Sequence, residues 1–232
     1  MQVMILAAGY GKRLAPLTQQ TPKPMLKVAG KPLLEHHIER LAASGFTDLV
    51  INTAWLAEQI ESYFGDGSQF GVQISWSREP RPLETGGGIA NALPLLGERP
   101  FLLLNGDIWT DYPLGSINED NIPGDGLAWL LMVANPKHNP TGDFALVDGL
   151  VSDAAEPKFT FSGLSVIHPQ LLEDYTENQG DCQNFPLRAA LLPAIDRGRV
   201  GGTLYHGDWY DMGTVERYRQ LNQLLAINEH IA

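Results

Sequence analysis

Cysteine is almost absent: Cys182 is the only one among 232 residues. An internal disulfide framework is therefore excluded, and the composition suits a reducing compartment such as the cytoplasm. Cys182 also has no cationic residues beside it in the sequence, so we expect its thiol to be chemically inert.

Positive charge is scarce as well. The chain has 16 Lys and Arg against 27 Asp and Glu, which gives a formal net charge of -11. Nucleic acid polymers and anionic membrane surfaces both need a cationic footprint, so neither is an expected partner. A small phosphate ligand remains compatible with this charge if a few cations and backbone N–H groups are gathered in one place.

Long apolar runs are missing too. No stretch approaches the roughly 18 apolar residues that span a bilayer. Residues 1–6 form a short apolar run without a basic leader or a small-residue cleavage site, and we expect a buried strand there rather than a signal peptide. With 44% hydrophobic and 19% charged residues, the chain can bury a core and is not of the disordered class.

The order of hydrophobic segments predicts an α/β fold. In the first half, strands are predicted at Val3–Leu6, Asp48–Asn52, Gly71–Trp76 and Phe101–Asn105. The helices predicted between them cover residues 32–45, 55–64 and 88–96. This alternation is typical of a mainly parallel sheet with helices on both faces.

The second half is less regular. Strands are predicted at 127–134, 159–167 and near 203–206, a turn-rich passage at 135–142, and helices at about 184–195 and from 214 onward. No linker of distinct composition interrupts the chain. We therefore expect one domain over residues 1–232, in which the second half forms a smaller β-rich lobe.

A glycine-containing loop follows the first predicted strand. The run L-A-A-G-Y-G-K-R at residues 6–13 has small residues that let the backbone approach an anion, and it ends in two cations. Leu14 occupies the position where a dinucleotide fingerprint has a third small residue, and the Gly-Lys-Ser/Thr of a Walker loop is absent. A lone G-x-G is equally compatible with a structural turn.

Lys23 lies between two prolines in the run T-P-K-P. Proline restricts its own backbone and that of the residue before it. We therefore expect a stiff, extended segment that holds the Lys23 ammonium in one place.

Together, L-A-A-G-Y-G-K-R-L-A-P-L-T and T-P-K-P closely resemble the signature of the sugar-phosphate nucleotidyltransferases, which have a Rossmann-like core. The resemblance covers about residues 4–28. It implies that the loop wraps a nucleoside triphosphate, that Arg13 steadies the β/γ end, and that Lys23 contacts the α-phosphate, which makes both catalytic. The nucleotide-binding residues it implies in this region are Ala7, Ala8, Gly9, Gly11, Lys12, Arg13 and Lys23.

Asp107 directly follows a buried strand. Ligands of open α/β sheets bind at the carboxyl ends of the strands, and a carboxylate that faces a triphosphate there requires a divalent cation between them. The alternative is that Asp107 only caps a turn through Gly106. The resemblance implies that Asp107 is a ligand of Mg²⁺.

A second metal ligand is implied near the end of the chain. The run W-Y-D-M-G-T at residues 209–214 is similar to the family's W-x-D-x-G-T, whose aspartate completes the magnesium site and is Asp211 here. Asp208 is the alternative ligand. Asp211 could instead be a solvated turn residue before a helix that Thr214 caps.

Three consecutive glycines stand in the run L-E-T-G-G-G at residues 83–88. They cost conformational entropy, which indicates a backbone pressed against a base or ribose, although a flexible start of the helix is the alternative. Nucleotide contacts are predicted at Glu84, Thr85 and Gly86. Many relatives carry L-G-T-A-G, and the variant here resembles the short N-acetylmuramate 1-phosphate uridylyltransferases.

Sugar contacts are implied by the resemblance alone. The predicted residues are Asn105, Gly142, Asp143, Glu156, Ser162 and Gly163. Many relatives have a Glu-Lys-Pro run whose lysine contacts the sugar phosphate. The order here is Glu156-Pro157-Lys158, so whether Lys158 takes that role is open.

No histidine is assigned a function from the sequence. His36 and His37 are adjacent on a predicted helix and project about 100° apart, which suits a metal poorly. The other histidines, His138, His168, His206 and His230, show no ligand spacing.

The resemblance implies an enzyme that joins UTP to a sugar 1-phosphate and releases pyrophosphate with Mg²⁺. It further implies peptidoglycan recycling in a bacterial cytoplasm, and we expect a monomer or weak homo-oligomer. Residues 1–110 would form the nucleotide-binding half and 111–232 the sugar-binding half. The alternatives are a mannose 1-phosphate guanylyltransferase that uses GTP and a non-catalytic nucleotide-sugar sensor.

Overall fold

The computed structural model describes residues 1–176 and 184–228, so Cys182 and His230 lie outside the described residues. The strands are β1 (Val3–Leu6), β2 (Lys27–Val28), β3 (Lys31–Pro32), β4 (Asp48–Thr53), β5 (Gln73–Arg78), β6 (Phe101–Asn105), β7 (Ile108–Thr110), β8 (Ala128–Val133), β9 (Phe144–Val147), β10 (Leu150–Ser152), β11 (Lys158–Ile167), β12 (Val200–Tyr205) and β13 (Trp209–Asp211). The helices are α1 (Leu33–Ala43), α2 (Ala57–Phe64), α3 (Glu84–Leu96), α4 (Glu173–Thr176), α5 (Leu187–Asp196) and α6 (Val215–Asn228).

Nine strands form one sheet in the order β5-β4-β1-β6-β11-β8-β12-β10-β9. The four strands that the first half contributes to this sheet, β5, β4, β1 and β6, are parallel, which confirms the α/β, Rossmann-like prediction. The second half adds a mixed region, because β11 runs antiparallel between β6 and β8. Parallel neighbours need long crossover connections, whereas the short links between β9, β10 and β11 allow only antiparallel pairing.

The sheet is covered on both faces. Val3 and Ile5 of β1 point into one apolar cluster with Ile38 of α1, and Met4 points into the opposite cluster with Ile89 of α3. All three β1 side chains are fully buried, as expected for a strand in the interior of a parallel sheet. The prediction of a buried first strand is confirmed.

Helix α3 begins four residues earlier than the predicted 88, at Glu84. Glycine is a poor helix former, so the sequence favoured a later start. The N–H groups of Gly86 and Gly87 donate to the Phe185 carbonyl at 2.9 and 3.1 Å. These two hydrogen bonds from outside the helix fix its first turn.

A short ribbon of β7 and β13 was not predicted, because each strand has only three residues. The two strands are antiparallel, and Asp211 lies opposite Ile108. The Met212 N–H also donates to the Asp107 carbonyl at 2.7 Å. The ribbon therefore joins the segment around Asp107 to the segment around Asp211.

Helix α6 closes the fold against the segment that follows the glycine loop. Leu221 of α6 packs in a third apolar cluster with Leu14 and Met212. The Asn222 side-chain oxygen accepts from the Ala29 N–H at 2.9 Å. Among the described residues, none of the helices combines the length and hydrophobicity that crossing a membrane requires.

Candidate functional site

A cavity of about 320 Å³ opens at the carboxyl ends of the parallel strands. Its size is that of a small-molecule site, and its position is where open α/β sheets bind ligands. The wall includes every predicted nucleotide-binding residue except Gly86: Ala7, Ala8, Gly9, Gly11, Lys12, Arg13, Lys23, Glu84 and Thr85.

The glycine loop contains two glycines, and a different constraint favours glycine at each position. Gly11 has a φ of +63°, and a Cβ there would lie 2.8 Å from Thr18 Cγ2, so the chain itself requires this glycine. A Cβ on Gly9 would meet no described atom within 4 Å. Gly9 therefore leaves free space on the cavity side of the loop, which suits a ligand that approaches the backbone.

Lys23 is held by a turn and not by an extended segment. Residues Lys23–Met25 form a 3-10 turn, in which the Met25 N–H donates to the Pro22 carbonyl at 2.8 Å. The prediction of an extended backbone at Lys23 was wrong, because this hydrogen bond outweighs the preference that Pro24 imposes. The Lys23 side chain is 13% exposed and its Nζ donates to an Asp107 carboxylate oxygen.

Asp107 follows β6 and its side chain is 36% exposed. Burial by itself would raise its pKa, but the Lys23 ammonium and, more weakly, the Arg13 guanidinium outweigh burial and lower the pKa below its usual value. The carboxylate is therefore ionised at neutral pH. Arg13 is exposed and has no hydrogen-bond partner in residues 1–176 and 184–228, so its guanidinium is available to an anion.

His37 supports the turn before Asp107 from behind. Its imidazole is 3% exposed and hydrogen-bonds to the Gly106 carbonyl. Burial, helped by the neighbouring Arg40 and His36, lowers the His37 pKa to about 3. A Cβ on Gly106 would lie 2.6 Å from the Leu6 carbonyl oxygen, so the turn also requires glycine.

We expect the buried His37 to make the fold acid-sensitive. In the unfolded chain His37 is protonated below pH 6.5, whereas in the folded protein it is not protonated until about pH 3. The free energy of unfolding therefore falls as the pH is lowered through that window. Between pH 7.5 and 4.5 this residue alone should remove about 3 kcal/mol from the free energy of unfolding. Urea denaturation of the wild type and His37→Gln at both pH values measures it.

The matched control is His206→Gln, which alters an exposed histidine. It should lose stability with pH as the wild type does, while His37→Gln loses less. Equal pH dependence in His37→Gln and the wild type contradicts the prediction.

Asp211 is held by Arg217 and His138, two residues that the sequence did not connect to it. Its carboxylate lies 2.8 Å from Arg217 Nη1 and 2.7 Å from His138 Nε2, and it accepts from the Gly213 N–H at 3.0 Å. The side chain is only 16% exposed, so Asp211 is not a solvated turn residue. His138 was given no role from the sequence, since only the tertiary fold brings its loop to Asp211.

Two carboxylates from the protein are enough for a magnesium site. Mg²⁺ usually binds through one or two carboxylates, with substrate phosphates and water completing its ligands. Asp107 lines the cavity, and Asp211 lies next to its wall, since Gly213 belongs to the lining. Within the described ranges, no group of three or more His, Cys, Asp or Glu side chains is arranged to hold a metal alone.

The opposite end of the cavity has a hydrogen-bond network that the sequence analysis missed. The Ala7 N–H donates to Asn52 at 2.6 Å, Asn52 donates to Glu79 at 2.7 Å, and Glu79 accepts from the Leu83 N–H at 2.9 Å. Glu79 is 7% exposed, and burial raises its pKa. The network ties the glycine loop to the start of α3.

The glycine run is explained by packing within the protein. A Cβ on Gly86 would overlap the Phe185 ring, and one on Gly88 would lie 2.7 Å from Glu79 Oε1. The backbone is therefore pressed against the chain itself, which corrects our interpretation of this run as a contact with a base or ribose. Gly86 lies outside the cavity wall, while Glu84 and Thr85 belong to it.

Of the predicted sugar-binding residues, only Asn105 lines the cavity. Gly163 packs against the Asn105 side chain, since a Cβ on Gly163 would lie 2.5 Å from Asn105 Nδ2. Asp143 accepts from the Phe161 N–H at 2.8 Å, and Ser162 is buried. The same neighbourhood contains Gly142, packed on the Lys158 backbone, and the exposed Glu156.

Lys158 is engaged elsewhere. Its Nζ lies 3.4 Å from a carboxylate oxygen of Asp153, which also pairs with Arg188 at 2.6 Å. Lys158 is not among the residues that line the cavity. Lys158 therefore contacts Asp153 and not the cavity.

Comparison with known proteins places the sequence among nucleotide-transferring enzymes. The Nucleotidyl transferase family matches residues 2–147. An N-acetylmuramate alpha-1-phosphate uridylyltransferase of Neisseria meningitidis serogroup B is 44% identical over 97% of this chain and 98% of its own length. A protein of the same name from Caulobacter vibrioides is 34% identical over 90% of both chains.

A mannose-1-phosphate guanylyltransferase of Mycobacterium tuberculosis is 40% identical over 94% of this chain, which spans 62% of that enzyme. Among solved structures, a Bacillus anthracis chain assigned as a glucose-1-phosphate thymidylyltransferase has a TM-score of 0.86 at 20% identity, covering 97% of this chain and 95% of its own. HddC of Yersinia pseudotuberculosis has a TM-score of 0.78 at 22% identity, covering 97% and 99%. These structures share the fold.

Proposed function

The chain belongs to the Nucleotidyl transferase family, and on that premise we propose that it transfers the uridylyl group of UTP to a sugar 1-phosphate, with N-acetylmuramate 1-phosphate as the preferred acceptor. The main support is the 44% identity to the Neisseria meningitidis uridylyltransferase over nearly the full length of both chains. The cavity adds to this support, because its wall carries the cations that a triphosphate needs.

The reaction is a single in-line displacement at the α-phosphorus. A sugar phosphate has a second pKa near 6, so its attacking oxygen is ionised at neutral pH and no general base is needed. The new bond forms between that oxygen and the α-phosphorus. The bond to the bridging oxygen breaks on the opposite side, and pyrophosphate leaves with the electron pair.

The barrier is the repulsion between two anions. Lys23 has three donors, so its ammonium can hold Asp107 and reach the α-phosphate at the same time. Arg13 contacts the β- and γ-phosphates, where charge accumulates as pyrophosphate departs. Asp107 and Asp211 would hold a divalent cation, Mg²⁺ in our proposal, and this cation would supply charge neutralisation for the two phosphates.

The cellular setting follows from the same proposal. N-acetylmuramate is a cell-wall sugar, and its 1-phosphate would arise in peptidoglycan recycling in the cytoplasm. We propose that the protein acts there as a monomer or weak homo-oligomer.

A pyrophosphate-release assay tests the function directly. We expect turnover with UTP and N-acetylmuramate 1-phosphate, and at least tenfold lower kcat/KM when GTP replaces UTP or mannose 1-phosphate replaces the acceptor. Omitting Mg²⁺ in the presence of a chelator is the control, and it should stop the release.

Two other outcomes identify the alternatives. Preference for GTP with mannose 1-phosphate assigns the guanylyltransferase activity that the Mycobacterium tuberculosis relative is named for. Calorimetric binding of a nucleotide sugar without any pyrophosphate release assigns a sensor. Arg13, which is exposed and makes no hydrogen bond within the described residues, speaks against a sensor, since a protein that releases no pyrophosphate does not need it.

A further inference from the structure

Glu84 has a backbone conformation that is unfavourable for its residue type. Its φ is +60°, in the left-handed region where glycine is the usual residue. Glutamate is not among the residues that tolerate this region best, which are Asn, Asp and His. Strained residues cluster at functional sites, where the surrounding structure enforces them. The strain at Glu84 therefore requires a reason.

The Glu84 carboxylate is free on the cavity wall. The side chain is exposed, lines the cavity, and has no hydrogen-bond or ion-pair partner in the part of the chain that the structure describes. Its polar neighbours on the wall are engaged, since both carboxylate oxygens of Glu79 accept hydrogen bonds and Asn52 bridges Ala7 and Glu79. Glu84 is therefore the unpaired acceptor at this end of the cavity.

The position of Glu84 also identifies which part of a nucleotide would lie beside it. Lys12, Arg13 and Lys23 gather on the loops that follow β1, and a triphosphate must lie there because they are the cations of the wall. Glu84 belongs to the start of α3, beyond the ends of β4 and β5. The nucleoside must extend toward this end.

We infer that the Glu84 carboxylate binds the 2′- and 3′-hydroxyls of the nucleotide's ribose. A carboxylate only accepts hydrogen bonds, and a ribose diol offers two adjacent donors. The edge of uracil instead has one donor between two acceptors, so a carboxylate facing it would be repelled twice. The exclusion of the base rests on the proposed function, because it assumes that the base is uracil. The match between a carboxylate and a ribose diol holds for any ribonucleotide.

A pair of matched variants isolates this role. Glu84→Gly removes the carboxylate and relieves the left-handed strain. Asp148→Gly does the same at an exposed acidic residue with a φ of +50°, in the turn between β9 and β10 and away from the cavity. Glu84→Gln keeps the backbone and side-chain length but loses the charge.

The measurement is the ratio of kcat/KM for UTP to that for 2′-deoxy-UTP. A hydrogen bond to a charged acceptor predicts a ratio of about 10 to 100 in the wild type and in Asp148→Gly. Glu84→Gly should bring the ratio below about 3, with Glu84→Gln in between. Relief of strain should also raise the Tm of Glu84→Gly by about 2 °C, so the loss of selectivity would not come from damage to the fold.

Three results overturn the inference: no preference for the ribonucleotide in the wild type, an unchanged ratio in both Glu84 variants, or an equal loss in Asp148→Gly. A change in the preference for UTP over GTP with the ribose ratio intact assigns Glu84 to the base and also overturns it. If the wild type uses GTP and not UTP, the proposed function fails, and GTP against 2′-deoxy-GTP then tests the role of Glu84 separately.

Discussion

Replacing Lys23 with methionine should lower kcat for pyrophosphate release by about 10³-fold. Methionine keeps the length and apolar stem of lysine but cannot place a positive charge beside the α-phosphate. The charge that develops in the transition state would then lose its nearest protein cation. Steady-state kinetics with UTP and a sugar 1-phosphate measures the loss, and KM should change much less than kcat, because the ground-state triphosphate keeps Arg13 and the loop.

Lys31→Met is the matched control for this variant. It removes a lysine that also pairs with a carboxylate, Glu39, but on the exposed surface. The control should retain wild-type kcat and should unfold within a few degrees of the wild type, since exposed ion pairs contribute about 1 kcal/mol or less. Wild-type turnover in Lys23→Met would remove Lys23 from the mechanism.

Replacing Asp107 with asparagine should abolish metal-dependent turnover, with a fall in kcat of about 10³-fold or more. Asparagine keeps the shape of the side chain but has one neutral oxygen where the carboxylate has two charged ones. The metal would lose its ligand on the cavity wall, and Lys23 would lose its partner. A second readout is the binding of Mn²⁺ with UTP, followed by electron paramagnetic resonance, which should weaken at least tenfold.

The same two readouts decide between Asp211 and Asp208. Asp211→Asn should weaken Mn²⁺ binding, whereas Asp208→Asn should not, because Asp208 is exposed and its hydrogen bonds within the described residues are made by its backbone carbonyl, which accepts from Thr110 and Asp111. The reverse result would transfer the metal ligand to Asp208. Equal, wild-type binding in both would mean that Asp107 and the phosphates hold the metal without either residue.

Short, locally encoded signals carried the prediction of the site. The predicted family and the predicted α/β fold were both confirmed. They could be predicted because the glycine loop, the two prolines around Lys23 and the apolar strand before Asp107 are continuous runs. Each run also ends at the carboxyl edge of the sheet. Parallel strands bring those ends together, so residues far apart in the chain were predicted to meet there.

Contacts between distant segments were not visible in the sequence. His138 and Arg217 meet at Asp211 only because the loop after β8 and helix α6 fold onto the ribbon of β7 and β13. Glu79 also went unnoticed, because a single glutamate after a strand has no pattern. Its importance comes from the hydrogen bonds that link it to Asn52 and Leu83.

The glycine run at 86–88 shows the limit most clearly. The sequence established that the backbone must pack closely against something, because three glycines in a helix are otherwise unfavourable. Only the tertiary structure identified the neighbours as Phe185 and Glu79.

The sequence by itself determined the parallel half of the sheet, the glycine loop after β1 and the position of Asp107, because hydrophobic alternation and backbone restriction act between neighbours in the chain. The tertiary structure decided the antiparallel insertion of β11, the partners of Asp211 and the strained backbone of Glu84. These depend on how separate segments pack, and packing between segments is a property of the whole fold.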